Sequence, residues 1–73
     1  MTYGTKAVGL GFNPSGDSEV HRLKSLFAEI IDLCNENRKQ VNSPEQARLY
    51  SVAITEAQTA QMWAVKAVTW KED

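Results

Sequence analysis

Apolar residues between positions 18 and 40 recur at spacings of three and four. The row consists of Val20, Leu23, Phe27, Ile30 and Cys34, and it is widened by Leu26, Ile31 and Leu33. Charged residues such as Glu19 and Glu36 occupy the other faces. This period is typical of an amphipathic α-helix. The pattern therefore predicts a first long helix from about residue 18 to about residue 40.

A second long helix is predicted from about residue 44 to about residue 70. Ser43 has the character of an N-cap, Pro44 suits the first helical position, and Gln46 stands three residues after the cap, as in a capping box. No glycine or proline follows Pro44. Two long helices joined by a short turn pack antiparallel. The expected fold class is all-α, an antiparallel helical hairpin forming one domain over residues 1–73.

The segment before the first helix is expected to be irregular. Residues 1–16 contain all four glycines and one of the two prolines. Residues 13–17, with the sequence Asn-Pro-Ser-Gly-Asp, indicate a turn that leads into the helix, with Asp17 or Ser18 as the N-cap.

The second helix is apolar over most of its circumference. One row is made of alanines at spacings of four and three, namely Ala53, Ala57, Ala60, Ala64 and Ala67. A neighbouring row contains Leu49, Val52, Thr59, Trp63 and Trp70. Such a helix needs neighbours on several sides, and small side chains allow them to approach closely. The hairpin supplies one neighbour, so the others are expected from further copies of the chain, in a homo-oligomer.

Composition strengthens this expectation. The chain has 73 residues, and a core of this size rarely supplies more than roughly 3–5 kcal/mol. Cys34 is the single cysteine, so no internal disulfide can form. His21 is the single histidine, so neither a zinc site nor any other metal or cofactor site is expected. Partner chains remain as the source of stability.

Charge and hydropathy narrow the possible partners and the compartment. Eight Lys and Arg residues stand against nine Asp and Glu residues, for a net charge of −1, whereas proteins that bind DNA or RNA polymers carry a basic excess. No apolar run approaches the roughly 20 residues that span a membrane, and the first residues lack the core of a signal peptide. A cytoplasmic protein with no membrane partner is expected.

Catalysis is not expected either. Cys34 and His21 lie more than three helical turns apart in the first helix and cannot meet within one chain. Residues 9–14 do not form a dinucleotide-binding loop because no strand precedes them. No catalytic residue is therefore assigned, and the chain is expected not to be an enzyme.

Three residues are candidates for binding an anionic ligand, each with a second interpretation. Phe12 either packs onto the hairpin or offers a platform on which a flat ring stacks. Lys24 is either a solvated charge or a contact for a phosphate. Arg48 either forks two hydrogen bonds onto a phosphate or pairs on the surface with Glu45 or with an acid of another chain.

Several short segments together resemble a known family. They are Phe12-Asn13-Pro14-Ser15-Gly16, Leu23-Lys24, Arg48, and Thr55-x-x-Gln58-Thr59-x-x-Met62-Trp63-Ala64-Val65-Lys66-Ala67. Over about residues 10–70 the chain resembles the bacteriophage anti-CBASS cyclic-oligonucleotide sponges, the second anti-CBASS family. CBASS is a bacterial defence in which a cyclic nucleotide messenger activates an effector that kills the infected cell. Members of the family sequester that messenger without cleaving it.

The resemblance implies an assembly and two kinds of pocket. It implies a hexamer built as a trimer of dimers, acting in the host cell cytoplasm. Pockets between pairs of chains would take cyclic dinucleotides, with Phe12 stacking on bases and Lys24 meeting phosphates. Pockets near the three-fold axes would take cyclic trinucleotides, served by Arg48. The competing hypothesis is a small helical oligomeric module, structural or for protein interaction, with no nucleotide ligand.

Overall fold

The computed structural model describes residues 1–72, which form three helices. They are α1 (Tyr3–Ala7), α2 (Ser18–Gln40) and α3 (Pro44–Val68). Helices α2 and α3 are joined through residues 41–43 and pack against each other. This arrangement confirms the predicted helical hairpin. Within residues 1–72, no helix is both long and apolar enough to cross a membrane.

Polar residues cap the two long helices where the sequence predicts. The Asp17 carboxylate accepts a hydrogen bond from the Glu19 N–H at 2.7 Å, and the Ser43 hydroxyl accepts one from the Gln46 N–H at 3.2 Å. Pro44 stands at the start of α3. The beginnings of both helices therefore agree with the prediction, whereas α3 ends at Val68, two residues before the predicted end.

The expectation of an irregular N-terminal segment does not hold for residues 3–7, which form α1. The Thr2 hydroxyl accepts from the Thr5 N–H at 3.1 Å, and the Thr5 hydroxyl accepts from the Thr2 N–H at 2.9 Å. This is a reciprocal capping box with threonine in the place usually taken by Glu or Gln. The unusual residue hides the signal in the sequence.

Helix α1 docks on α2 through a glycine. Gly4 is buried, and its N–H donates to the Asp32 carboxylate at 2.6 Å. A Cβ at Gly4 would lie 2.1 Å from the Ala28 carbonyl oxygen, far inside van der Waals contact. The docking brings Val8 into the core, where it joins Ala28, Ile31 and Ile54.

The core is small for the amount of apolar surface in the chain. Ile31 is fully buried at the centre of the hairpin. The large hydrophobic residues that remain exposed are Met1, Tyr3, Phe12, Leu26, Ile30, Leu33, Leu49, Val52, Met62, Trp63 and Trp70. The Cα atoms span 49 × 25 × 13 Å. Two long helices and one short helix can cover only part of one another, so much of the apolar surface of the hairpin stays open.

The alanine row of α3 lies partly on an open face. Ala53, Ala60 and Ala67 are exposed, and Ala57 and Ala64 are half-buried. Ile54 and Gln61 are the residues that α3 buries. The alanines at seven-residue intervals are thus available to a further helix, outside the hairpin.

Candidate functional site

A tight turn holds the candidate aromatic residue. The Phe12 N–H donates to the Gly9 carbonyl at 2.9 Å, which closes a four-residue turn over residues 9–12. Gly9 has a φ of 63°, in the left-handed region that favours glycine. The Leu10 N–H donates to the Thr5 carbonyl at 3.0 Å, so the turn is continuous with α1. The position of Phe12 therefore depends on how α1 is docked.

Lys24 holds the same turn from the side of α2. Its side chain is buried, with 6% of the residue exposed. Its ammonium group donates to the Gly9 carbonyl at 3.1 Å and also to the Phe12 carbonyl. The Lys24 nitrogen lies 5.6 Å from the centroid of the Phe12 ring. Lys24 is thus not a solvated charge, and it lies beside the aromatic residue with which the sequence grouped it.

The Phe12 ring projects into solvent. Phe12 is 72% exposed, so it does not pack onto the hairpin as a staple. It borders a pocket of about 280 Å³. The residues that line this pocket are Phe12, Asn13, Pro14, Ser15, Val20, Lys24, Val65 and Thr69. The structure therefore brings Phe12 and Lys24 together in one concave, mainly apolar site.

The wall of the pocket after Phe12 is held by local hydrogen bonds. The Asn13 side-chain amide donates to the Asp17 carbonyl at 3.0 Å, and the Ser15 hydroxyl donates to the Asn13 side-chain oxygen at 2.8 Å. The Asp17 N–H donates to the Ser15 hydroxyl at 3.2 Å. These bonds orient Asn13 and Ser15, and they leave the ring of Phe12 as the exposed flat surface of the site.

Arg48 lies apart from this pocket, near the start of α3. It precedes Val65, a pocket residue, by 17 positions, which is about 25 Å along a helix at 1.5 Å per residue. Two guanidinium nitrogens of Arg48 donate to the Glu45 carboxylate at 2.8 and 2.7 Å. The structure therefore contains the surface pair with Glu45 that was one of the two interpretations of Arg48. Any ligand of Arg48 has to compete with Glu45.

This pairing shifts the pKa of both groups. The hydrogen bonds from Arg48 lower the pKa of the Glu45 carboxyl below its ordinary value, and the same bonds raise the pKa of the Arg48 guanidinium. Both side chains are largely exposed. The pair is therefore ionised at neutral pH and is screened by water and salt.

Several residues of the site were missed from the sequence, among them Val65, Thr69 and Gly9. Val65 and Thr69 reach the pocket from the far end of α3, and Gly9 supplies one of the carbonyls that hold Lys24. An antiparallel register between α2 and α3, derived from the sequence, could have predicted Val65 and Thr69. The structure links Arg38 to Ser51 near the helix connection, and the same register continued along the hairpin places Lys24 opposite Val65. No local signal marks Gly9 as a partner of Lys24.

The remaining candidates for chemistry stay apart from the pocket. Cys34 packs partly buried against the core, and His21 is exposed more than three turns earlier in α2. The residues that line the Phe12 pocket include no carboxylate, imidazole or thiol.

The comparisons with known proteins identify one family. The model of the Acb2/Tad1 hairpin domain matches residues 5–69 of the 73. This match spans all of α2 and α3 and the turn that carries Phe12. No curated protein and no solved structure matches the chain significantly.

Proposed function

Since the chain belongs to the Acb2/Tad1 hairpin family, the family of the anti-CBASS sponges, we propose that it binds cyclic oligonucleotide messengers and sequesters them from CBASS effectors. The ligands are cyclic dinucleotides and cyclic trinucleotides. The protein binds them without cleaving them, so each assembly removes a fixed number of messenger molecules from solution. It works in the cytoplasm of the infected cell.

The observation that carries the proposal is the pairing of an exposed ring with a buried lysine at one pocket. A nucleotide base has a flat face that stacks on an aromatic side chain, a contact worth roughly 1–3 kcal/mol per base. Phe12 offers such a face at 72% exposure. The Lys24 ammonium lies 5.6 Å from the ring centroid. Base and phosphate of one nucleotide are separated by a few ångströms, so one ligand can meet both groups.

The pocket of one chain is too small for a whole cyclic dinucleotide. Its volume is about 280 Å³, at the lower limit of the roughly 300–1,000 Å³ of pockets that enclose drug-sized molecules. We propose that a second copy completes it, so that two Phe12 rings and two Lys24 ammonium groups meet the two bases and two phosphates of the ligand. A ligand with two-fold symmetry suits a site on a two-fold axis.

The open faces of the hairpin support the assembly that this site requires. The hairpin leaves Leu33, Val52 and Trp63 exposed, and exposed apolar surface of this kind marks sites of association. We propose a homo-oligomer, with a hexamer built as a trimer of dimers as the specific form. In that form three copies of Arg48 around a three-fold axis bind the three phosphates of a cyclic trinucleotide.

The side chains of the pocket support sequestration without cleavage. Hydrolysis of a phosphodiester needs a positioned nucleophile with a base, or a metal with its ligands. The lining residues of the Phe12 pocket carry no carboxylate, imidazole or thiol, and the Ser15 hydroxyl donates to Asn13.

The test for the dinucleotide site is Phe12→Ala, with Phe12→Leu as a control that keeps an apolar side chain but removes the ring. We expect both variants to bind cyclic dinucleotides about ten- to a hundredfold more weakly, because the lost term is stacking. Isothermal titration measures the affinity, and native mass spectrometry reports the subunit number and the mass of the bound ligand. Unchanged affinity in Phe12→Leu would assign Phe12 a merely apolar contact.

The test for the trinucleotide site is Arg48→Ala. We expect it to weaken binding of cyclic trinucleotides and to leave cyclic dinucleotides unaffected, because Arg48 and the Phe12 pocket lie at different ends of α3. Equal loss of both ligands would contradict two separate sites. Failure of the wild type to bind any cyclic nucleotide in a panel would favour the structural module, and recovery of linear products would make the protein an enzyme.

A further inference from the structure

Lys24 is buried in an unusual way. Lysine is rarely buried in proteins unless it is paired with an acid. The ion pairs formed within residues 1–72 join Arg22 to Glu19 and Arg48 to Glu45, and Lys24 belongs to neither. Its partners are two main-chain carbonyls, those of Gly9 and Phe12. The buried ammonium group of Lys24 therefore stabilises the backbone to which it donates.

The two carbonyls are the two ends of one turn. The turn over residues 9–12 has a single internal bond, from the Phe12 N–H to the Gly9 carbonyl. The Lys24 ammonium then donates to the Gly9 carbonyl and to the Phe12 carbonyl. One charged group from α2 thereby joins the first and last residues of the turn that presents the Phe12 ring.

We infer that Lys24 is a positioning residue for Phe12: its ammonium locks the turn over residues 9–12 in the ligand-free protein, so that the ring is placed before a ligand arrives. A protonated lysine has three N–H donors, and two are used for the turn. One donor remains for an anionic group of the ligand. The inference rests on the proposed function for the identity of the ligand, whereas the lock is a property of the free protein.

The lock has a consequence for binding that independent contacts would not have. If Phe12 were free to move, a ligand would have to order it, and ordering a side chain and its loop weakens binding. Loss of Lys24 therefore removes a phosphate contact and also releases the ring. In a chain that already lacks the ring, loss of Lys24 removes the phosphate contact alone. Substitutions at the two positions are thus expected to be non-additive.

A matched pair of glycine variants tests whether ligand binding needs an ordered turn, without changing Lys24 or Phe12. Gly9 has a φ of 63°, which strains any L residue, whereas Gly11 lies outside the left-handed region, and a Cβ there meets nothing within 4 Å. In Gly9→Ala we expect the Phe12 amide to exchange its hydrogen about five- to thirtyfold faster, the factor for placing an L residue in that region. In Gly11→Ala we expect wild-type exchange.

The same pair should differ in affinity for a cyclic dinucleotide, with cyclic GMP–AMP as the probe. We expect Gly9→Ala to bind it about five- to thirtyfold more weakly and Gly11→Ala to bind it as the wild type does. Faster exchange at Phe12 with unchanged affinity would overturn the positioning role. Failure of the wild type to bind any cyclic nucleotide would count against the proposed function, while the exchange measurement would still decide the lock.

A double-mutant cycle between Lys24→Met and Phe12→Ala tests the coupling directly. Methionine keeps the length of the stem and removes the donors. We expect Lys24→Met to speed exchange of the Phe12 amide about tenfold or more, since hydrogen bonds to charged groups are lost, while the core amides of Ile31 and Ile54 keep their protection. Lys66→Met, at an exposed position of α3, is the control.

In the cycle, we expect Lys24→Met to weaken binding at least about fivefold more in the presence of Phe12 than in the Phe12→Ala background. Equal losses in the two backgrounds, with unchanged exchange at Phe12, would show that ring and ammonium act independently and would overturn the inference. Release of the core amides in Lys24→Met would also overturn the inference, because Lys24 would then hold the fold as a whole and not the turn alone.

Discussion

Replacing Gly4 with alanine should detach α1 from the hairpin. The added Cβ would lie 2.1 Å from the Ala28 carbonyl oxygen and 2.8 Å from an Asp32 carboxylate oxygen. The first of these atoms belongs to the backbone of α2 and cannot turn aside. We therefore expect α1 to move away from α2, with loss of the hydrogen bond from Gly4 to Asp32 and of the burial of Val8.

The magnitude follows from these two losses and one gain. A hydrogen bond to a charged acceptor contributes about 1.5–3 kcal/mol, and the lower end applies because the bond from Gly4 to Asp32 is only partly buried. Burying a side chain such as Val8 contributes about 1.5 kcal/mol. Alanine is favoured over glycine in a helix by about 1 kcal/mol, which offsets part of the loss. The net destabilisation is about 2 kcal/mol.

For a chain of this size, that loss is large. A shift of 1 kcal/mol changes Tm by roughly 4–8 °C in a domain of 60–100 residues, so Gly4→Ala should lower Tm by roughly 8–16 °C. Circular dichroism measures the melting curve, at one protein concentration for all variants because the proposed assembly would make Tm depend on concentration. Hydrogen exchange at residues 3–8 should accelerate as well.

The control for this experiment is Gly11→Ala, since a Cβ there would touch nothing within 4 Å. A Tm for Gly4→Ala within about 2 °C of the wild type, less than 1 kcal/mol would produce, would refute the reasoning. Such a result would mean that α1 does not depend on close contact with α2.

Two further predictions concern the open face and the pair at the start of α3. Ala60 is exposed in the middle of the alanine row, so Ala60→Arg should break the proposed oligomer, seen by sedimentation, and keep the helical circular dichroism of the hairpin; an intact oligomer would exclude this row from the interface. Glu45→Gln should strengthen trinucleotide binding a few-fold in titrations, because it releases Arg48 from its carboxylate partner. Lowering the pH should also release Arg48, because it protonates Glu45. The pKa of Glu45 is lowered in the folded state, so the pair contributes to stability above the ordinary glutamate pKa. This contribution is lost only as the pH falls through the lower folded-state pKa. Unchanged trinucleotide affinity in Glu45→Gln would show that Glu45 does not compete with the ligand for Arg48.

The hairpin could be predicted from the sequence because its signals are local. The period of the apolar residues marks α2, and the capping residues Asp17 and Ser43 each act on a backbone N–H two or three positions away. The resemblance to the family assigned Phe12 and Lys24 to one pocket, and the structure places them beside each other; their roles in ligand binding stay a prediction. Their spacing of 12 residues gives no such indication, because a flexible segment lies between them.

The contacts that organise the N-terminal segment could not be predicted. The bond from Gly4 to Asp32 joins positions 28 apart, and the bond from Lys24 to Gly9 joins positions 15 apart. Neither follows from a periodic pattern. Glycine and lysine at these positions have ordinary local explanations, flexibility for Gly4 and a solvated charge for Lys24, and only the tertiary structure shows that both are needed where the segment crosses α2.

The shape of the chain links the proposed assembly to the proposed ligand. Two packed long helices and one short helix form a pocket at their surface, and they do not enclose a molecule by themselves. On the proposed assembly, the walls that a single chain lacks come from a second copy. Ligand binding and association of the chains are then thermodynamically coupled. Binding of the ligand favours association, and association favours binding to the same extent. The apolar residues left exposed on the hairpin and the ring of Phe12 left exposed at the pocket are, on this argument, two parts of the same interface.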